Sequence, residues 1–247
     1  MQYIEIPNKL NEVVTTKREK LKYLNIRIDK TVPPGITVGK RICNENCVFI
    51  KKLGIACHDD NSYQGVGKAI LNLDILRIIK KIHMASLMPI NIHIAGDGEP
   101  TLYESSLIDL ISSLRKLDFI NKIKITTNGT RLLNGQPKLI ERLKTAGIDE
   151  INVSLHSLDQ KEFQNITGIN SLTTVLEGIK YAVSHGVKTN INCLIREKTA
   201  DELDSYITLS RELKIRVKFF GLIDETGINQ KYLDNLLDNF RCLLDKK

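Results

Sequence analysis

The feature that most constrains the fold is a regular alternation of short apolar runs with longer amphipathic segments beyond residue 35. The short runs are rich in β-branched residues and nearly continuous in apolar character, as expected for parallel strands covered by helices. Glycines follow the amphipathic segments where a left-handed residue suits a helix end, as at Gly147 and Gly186. Six such βα units predict one α/β domain with a parallel sheet, either open or curled into a partial barrel.

The predicted elements follow one another without a repeat, a low-complexity tract or a linker. Strands are expected at Ile36–Ile42, Ile90–Ala95, Lys122–Thr126, Glu150–Leu155, Thr189–Ile195 and Arg216–Phe220. Helices are expected at Lys68–Ala85, Leu107–Leu117, Pro137–Thr145, Leu172–Ser184 and Ala200–Leu213. We therefore expect an N-terminal extension over residues 1–35 with one strand at Lys22–Ile28, a core over residues 36–224, and a C-terminal helix within residues 225–247 that packs on the core.

Composition and charge exclude several classes of protein. No apolar run approaches the roughly 20 residues that span a bilayer, and the first residues show no signal-peptide pattern, so we expect a cytoplasmic protein without a membrane partner. The net charge of +7 comes from scattered lysines and arginines, which is typical of a solvated surface and gives no strong nucleic-acid signal. Because disulfides are rare in the reducing cytosol, the five cysteines are expected to be thiols or metal ligands.

Small, polar and glycine residues gather just after the predicted strands. The four segments are CNENCVF over residues 43–49, GDGEPT over 96–101, TTNGT over 126–130 and NVSLHS over 152–157. Ligands bind at the carboxyl ends of the strands in sheets of this kind. The sequence therefore predicts a ligand site at this edge, with the cysteines of the first segment beside it.

In their order and spacing, these segments resemble the radical S-adenosylmethionine (SAM) superfamily, most of all its branch around the GTP 3′,8-cyclase of molybdenum-cofactor biosynthesis. The resemblance runs from about Ile36 to Asp224 and also includes SLHSLDQKEFQNITG and VLEGIKYAVSHG. It implies a partial (β/α)6 barrel and an enzyme that uses a [4Fe–4S] cluster to cleave SAM. The resulting 5′-deoxyadenosyl radical would abstract a hydrogen atom from an unidentified small-molecule or protein substrate. It further implies an electron donor such as flavodoxin or ferredoxin.

The cysteine spacing departs from the CX3CX2C pattern that is usual in this family. Three cysteines bind three irons and leave the fourth iron for SAM. Cys43 and Cys47 fit this pattern, but the third position is Ile50 and the next cysteine is Cys57. We expect Cys57 to be the third ligand, in a CX3CX9C arrangement, because closing a somewhat longer loop costs little free energy.

Other interpretations of the cysteines stay open at this stage. In one, the cluster site has decayed, Cys57 is a small buried hydrophobe, and the protein binds SAM or a partner without redox chemistry. In another, His58 replaces Cys57 as a ligand. Cys193 in the fifth predicted strand and Cys242 near the C-terminus are expected to be structural.

The resemblance also implies which residues bind SAM. The backbone of the turn at Gly98 and Glu99 would receive the SAM amino group, and a glycine suits a main chain that must approach its ligand closely. Asp97 stands where the family usually has the first glycine of GGEP. Ser154 would meet the SAM ribose or carboxylate. The remaining residues implied near SAM or substrate are Phe49, Thr127, Asn128, Asn192 and Ile223. Each residue could instead satisfy local backbone groups.

The resemblance to the GTP cyclases is incomplete in two respects. Those enzymes hold the triphosphate with basic residues inside the barrel, and the matching positions here are Ile36, Ile94 and Asn190. They also carry a C-terminal extension with a second cluster, whereas only Cys242 follows the sixth predicted strand. We therefore expect an apolar barrel wall, no auxiliary-cluster domain, and a substrate that is less charged than GTP or is supplied partly by a partner protein.

Overall fold

β-Branched residues, above all isoleucine, build one seven-stranded sheet in the computed structural model, which describes residues 3–6, 22–28, 43–45, 47, 71–96, 98–221 and 234–239. The strands are β1 Tyr3–Ile6, β2 Leu24–Ile28, β3 Ile90–Ile94, β4 Ile120–Thr127, β5 Glu150–Ser154, β6 Lys188–Leu194 and β7 Arg216–Phe220. Strands β2 to β7 lie side by side in chain order and are parallel, whereas β1 pairs antiparallel with β7.

Helices connect consecutive parallel strands. They are α1 Asn72–Ser86, α2 Glu104–Arg115, α3 Leu139–Ala146, α4 Gln160–Thr167, α5 Leu172–Ser184 and α6 Leu203–Leu213, and residues 234–239 are also helical. A 3-10 turn, Pro100–Tyr103, precedes α2. Six parallel strands in chain order with helices between them form the predicted α/β architecture, a partial barrel. No helix of the described residues is long and apolar enough to cross a membrane.

The two faces of the sheet differ in character because successive side chains of a strand point to opposite faces. On the outer face, apolar side chains of the strands pack under the helices, as Ile92 and Ile151 do with no exposed surface. The outer face and the helices share one hydrophobic core. We call the opposite side of the sheet the inner face.

The first parallel strand lies earlier in the chain than the sequence indicates. Leu24–Ile28, which the sequence analysis assigns to an N-terminal extension, pairs in parallel with Ile90–Ile94. Ile26 and Ile28 pack against the hydrophobic core, and this burial makes the segment part of the sheet. The strand expected at Ile36–Ile42 lies outside the described residues. The sheet of the core therefore begins before residue 36.

A buried polar network fixes the carboxyl ends of β5 and β6. The backbone nitrogen of Leu194 donates to Nδ1 of His156 at 3.1 Å, and Arg196 donates to the His156 carbonyl. The Arg196 guanidinium also forms ion pairs with Glu162 and Glu202, at 2.7 and 3.2 Å. Burial and, to a smaller extent, the charge of Arg196 lower the pKa of His156 from 6.5 to about 4. His156 is therefore neutral in the folded protein at neutral pH.

This depressed pKa predicts a pH dependence of stability. As the pH falls from about 6.5 towards 4, the unfolded chain binds a proton at His156 that the folded chain does not, so stability falls. In His156→Asn the amide oxygen can accept the Leu194 hydrogen bond without titrating. Between about pH 7 and pH 5, the free energy of unfolding should fall on the order of 1–2 kcal/mol further in the wild type than in the variant. Urea denaturation at both pH values measures this difference, and identical losses would contradict it.

Candidate functional site

The buried carboxylate of Glu99 joins two turns at the carboxyl edge of the sheet. Its Oε1 accepts hydrogen bonds from the backbone nitrogen and hydroxyl of Thr101 at 3.0 and 2.6 Å and from the Thr127 hydroxyl at 2.6 Å. Its Oε2 accepts from the backbone nitrogen of Asn128 at 2.6 Å. Burial raises the pKa of Glu99, although these hydrogen bonds act in the opposite direction. Glu99 thereby fixes the end of β4 against the turn that follows β3.

The side chain of Asn128 links this pair of turns to the cysteine segment. Its Nδ2 donates to Oδ1 of Asn44 at 2.7 Å and lies 3.9 Å from Sγ of Cys43. Its Oδ1 accepts from the backbone nitrogen and the hydroxyl of Thr130 at 3.1 and 2.8 Å, and Thr130 in turn accepts from Asn44 at 2.7 Å. The three segments that the sequence analysis singled out after the first three strands are therefore in contact.

The turn after β4 depends on a glycine. Gly129 has a φ of +80°, a left-handed conformation that L side chains rarely adopt. A Cβ at this position would lie 2.7 Å from Cγ1 of Val153. The absence of a side chain thus allows the turn to close tightly over β5 and to present Asn128 towards the cysteines.

A buried carboxyl group lies between the two described cysteines of the segment. The backbone nitrogen of Glu45 donates to Sγ of Cys43, and Sγ of Cys47 donates to Oε2 of Glu45, both at 3.4 Å. Burial and, to a smaller extent, the nearby Glu99 raise the pKa of Glu45 to about 8, against the opposing effect of the hydrogen bond from Cys47. At neutral pH Glu45 is therefore mostly protonated, and it adds little negative charge beside Glu99.

The donor set at this edge fits two of the three cluster ligands that the sequence predicts. Cys43 and Cys47 are half-buried thiols on one short segment, and thiolates are the usual protein ligands of [4Fe–4S] clusters. Among the described residues, no group of three or more His, Cys, Asp and Glu side chains is arranged to hold a metal. The predicted third ligand, Cys57, lies outside the described residues, as do Phe49 and Ile223.

The other described residues that were predicted to bind SAM lie in two places, one in the turn held by Glu99 and one on the inner face. Thr127 is buried and bonds Glu99, so its hydroxyl holds the turn together. Ser154 and Asn192 lie on the inner face, where the two residues are in register on neighbouring strands. Lys218 is in register with Asn192 on the next strand. The structure thus brings Ser154 and Asn192 together at the carboxyl edge.

Cys193 lies near the carboxyl end of β6 but on the outer face, opposite to Ser154 and Asn192, as expected for a structural cysteine. It is fully buried there, and its Sγ donates to the Tyr206 hydroxyl at 3.3 Å. Burial raises the pKa of its thiol to about 12. The Cys193 thiol is therefore protonated and packed in the core. Cys242 and His58 lie outside the described residues.

The predicted apolar wall of the barrel is wrong. Ile94 is fully buried on the outer face, in register with Ile28 and Ile125, and cannot line the inner face. Asn190 does lie on the inner face, where its Nδ2 donates to Oδ1 of Asn152 at 3.0 Å. Polar and charged side chains line this face, among them Arg27, His93, Lys122, Lys124, Thr126, Glu150, Lys188 and Lys218. The expectation of a substrate less charged than GTP was based on an apolar wall, so it is no longer supported.

The inner face was missed because the strands look almost continuously apolar in sequence. Segments such as INIHI over residues 90–94 and KIKIT over 122–126 in fact alternate, with every second residue polar. This period of two, together with the parallel registers, is the signal that places the polar residues on one face. Asn44, Glu45 and Thr130 were also missed as contact residues of the site, although all three lie within the motifs.

The comparisons with known proteins agree with this geometry. Residues 38–209 match the profile of the radical SAM superfamily. Proteins named "Probable GTP 3′,8-cyclase" from Saccharolobus islandicus and Thermoplasma volcanium are 33% identical over 175 residues and 34% identical over 173 residues. These alignments cover 70% and 69% of this chain, but 51% and 48% of the relatives. The chain thus spans about half the length of the curated relatives that it matches.

Solved structures share the fold. Native anSMEcpe with bound AdoMet matches with a TM-score of 0.58 and 17% identity, over 91% of this chain and 62% of that protein. Streptococcus suis SuiB bound to S-adenosylmethionine matches with a TM-score of 0.57 and 21% identity, over 78% and 39%. From the profile match, the relatives and the motifs joined at the carboxyl edge, we conclude that this chain belongs to the radical SAM superfamily.

Proposed function

We propose that this protein is a radical SAM enzyme that binds a [4Fe–4S] cluster through Cys43, Cys47 and Cys57. The observation that carries the proposal is the chain of contacts from Glu99 through Asn128 to Cys43. It holds the cysteine segment against the turns at which SAM would bind. Family membership, and the bound AdoMet in neighbours that share the fold, also support it.

The residues of the chain have separate tasks in this proposal. The backbone at Gly98 receives the SAM amino group, while the Glu99 carboxylate keeps that turn in place without touching SAM. Ser154 and Asn192 bind the ribose or carboxylate from the inner face. When bound, the cluster and SAM supply a 5′-deoxyadenosyl radical, which abstracts hydrogen from a substrate. A donor such as flavodoxin or ferredoxin provides the electron.

The ligand set can be tested by replacing each cysteine with alanine. Cys43→Ala, Cys47→Ala and Cys57→Ala should each abolish the broad iron–sulfur absorbance, because three thiolates hold the cluster. Cys193→Ala and Cys242→Ala are matched controls and should retain about four irons per chain. Iron analysis after anaerobic reconstitution measures the outcome. A full cluster in Cys57→Ala would reject the CX3CX9C assignment and direct attention to His58.

The SAM turn can be tested at Gly98. The side chain of Gly98→Val would occupy the space where the backbone must meet the SAM amino group. SAM binding should weaken by at least about tenfold, the equivalent of one charge-assisted hydrogen bond. Lys80→Val, an exposed change on α1, should leave the affinity unchanged. Calorimetric titration of both reconstituted variants makes the comparison, and equal affinities would remove Gly98 from the site.

Catalysis itself can be tested without knowing the substrate. With dithionite or flavodoxin as reductant, the reconstituted protein should slowly convert SAM to 5′-deoxyadenosine and methionine. This uncoupled reaction needs only the cluster, an electron and SAM, and chromatography detects both products. A protein that carries four irons and binds SAM but yields no 5′-deoxyadenosine would instead favour a degenerate relative that binds SAM or a partner without redox chemistry.

A further inference from the structure

The inner face carries more positive charge than its own acidic groups can balance. Two acidic residues of the described strands lie on this face: Glu150, which is buried, and Glu5 of β1, which is in register with Lys218. Lys122 and Lys188 both form ion pairs with Glu150, the latter at 3.2 Å. Although burial alone would raise the pKa of Glu150, the hydrogen bonds and positive charges of the two lysines hold it below its ordinary value. The negative charge of Glu150 is therefore already matched by two lysines.

Three further cations have no such partner. Arg27 lies on β2, Lys124 on β4 and Lys218 on β7, and all three face inward. Within the part of the chain that the structure describes, none of them forms a hydrogen bond or an ion pair. Burial lowers the pKa of Lys124, while the charge of Glu150, in register with it on β5, acts in the opposite direction. The positive charges of Lys218 and Lys122 lower this pKa further. Like charges held together in this way favour a bound anion.

His93 lies at the centre of this group. It is in register with Arg27 on one side and with Lys124 on the other, and its Nε2 lies 2.8 Å from the hydroxyl of Thr126. Burial and, to a smaller extent, the charges of Lys124, Arg27 and Lys218 lower the pKa of His93 to about 4, while Glu150 acts in the opposite direction. His93 is therefore neutral at neutral pH and responds to charges from four other strands.

We propose that the inner face binds an anionic group of the substrate, a phosphate or a carboxylate, between Arg27, Lys124 and Lys218. This inference rests on the proposed radical SAM function only in calling the ligand a substrate. Asn128, which contacts the cysteine segment, follows Lys124 by four residues. Along a strand, this separation is about 13 Å. A substrate anchored near Lys124 would therefore need to extend by roughly this length to reach the site of radical formation.

The test uses the 247-residue chain with inorganic phosphate and acetate as separate probes. Nuclear magnetic resonance of the labelled histidines follows His93, assigned with a His93→Gln variant, at constant ionic strength. The bound anion should raise the pKa of His93, because a negative charge between the cations offsets their effect. The probe that binds more tightly identifies the anchoring group as a phosphate or a carboxylate.

Substitutions show whether the three cations form the site. Lys124→Gln and Lys218→Gln, on different strands, should each weaken binding of the better probe about tenfold, the equivalent of one charge-assisted hydrogen bond. Lys80→Gln on α1 should leave it unchanged, and circular dichroism confirms that each variant is folded. No response of His93 to either anion would overturn the inference, as would equal binding in Lys218→Gln and Lys80→Gln. Failure to bind a cluster would reject the proposed function but leave an observed anion site in place.

Discussion

The buried carboxylate of Glu99 is the interaction on which the geometry of the cofactor edge depends. A buried carboxyl group is costly unless it is hydrogen-bonded, and this one receives four hydrogen bonds from two separate turns. Since one donor is the backbone of Asn128, the same bond that satisfies Glu99 also orients the residue that reaches the cysteines. One side chain thus sets the positions of two strand ends and, through Asn128, of a cysteine.

Elements with a strong local pattern were predictable, and those defined by distant contacts were not. Leu172–Ser184 and Arg216–Phe220 occur as helix and strand with the predicted bounds. Helix Gln160–Thr167 was missed because it is short, although Asp159 caps it by accepting from the Glu162 nitrogen at 2.7 Å. The strand Tyr3–Ile6 was missed because its partner lies near the other end of the sequence.

For the candidate site, the sequence predicted which motifs converge but not which atoms meet. Parallel strands bring their carboxyl ends to one edge, so the gathering of the motifs follows from topology. Whether Asn128 faces SAM or the cysteines depends on the backbone of Gly129, which the motif alone does not determine. The charge of the inner face depends on register, because a shift by one residue would exchange Lys124 for the buried Ile125.

The antiparallel strand β1 has a consequence for the outermost parallel strand. Residues Tyr3–Ile6 pair with Val217–Phe220 and supply hydrogen bonds along the side of β7 that faces away from β6. An uncovered strand edge is a template for pairing with other chains and for aggregation. Shortening the N-terminus would therefore affect solubility and the surroundings of Lys218 together, so a recombinant protein should keep its first residues and carry any purification tag at the C-terminus.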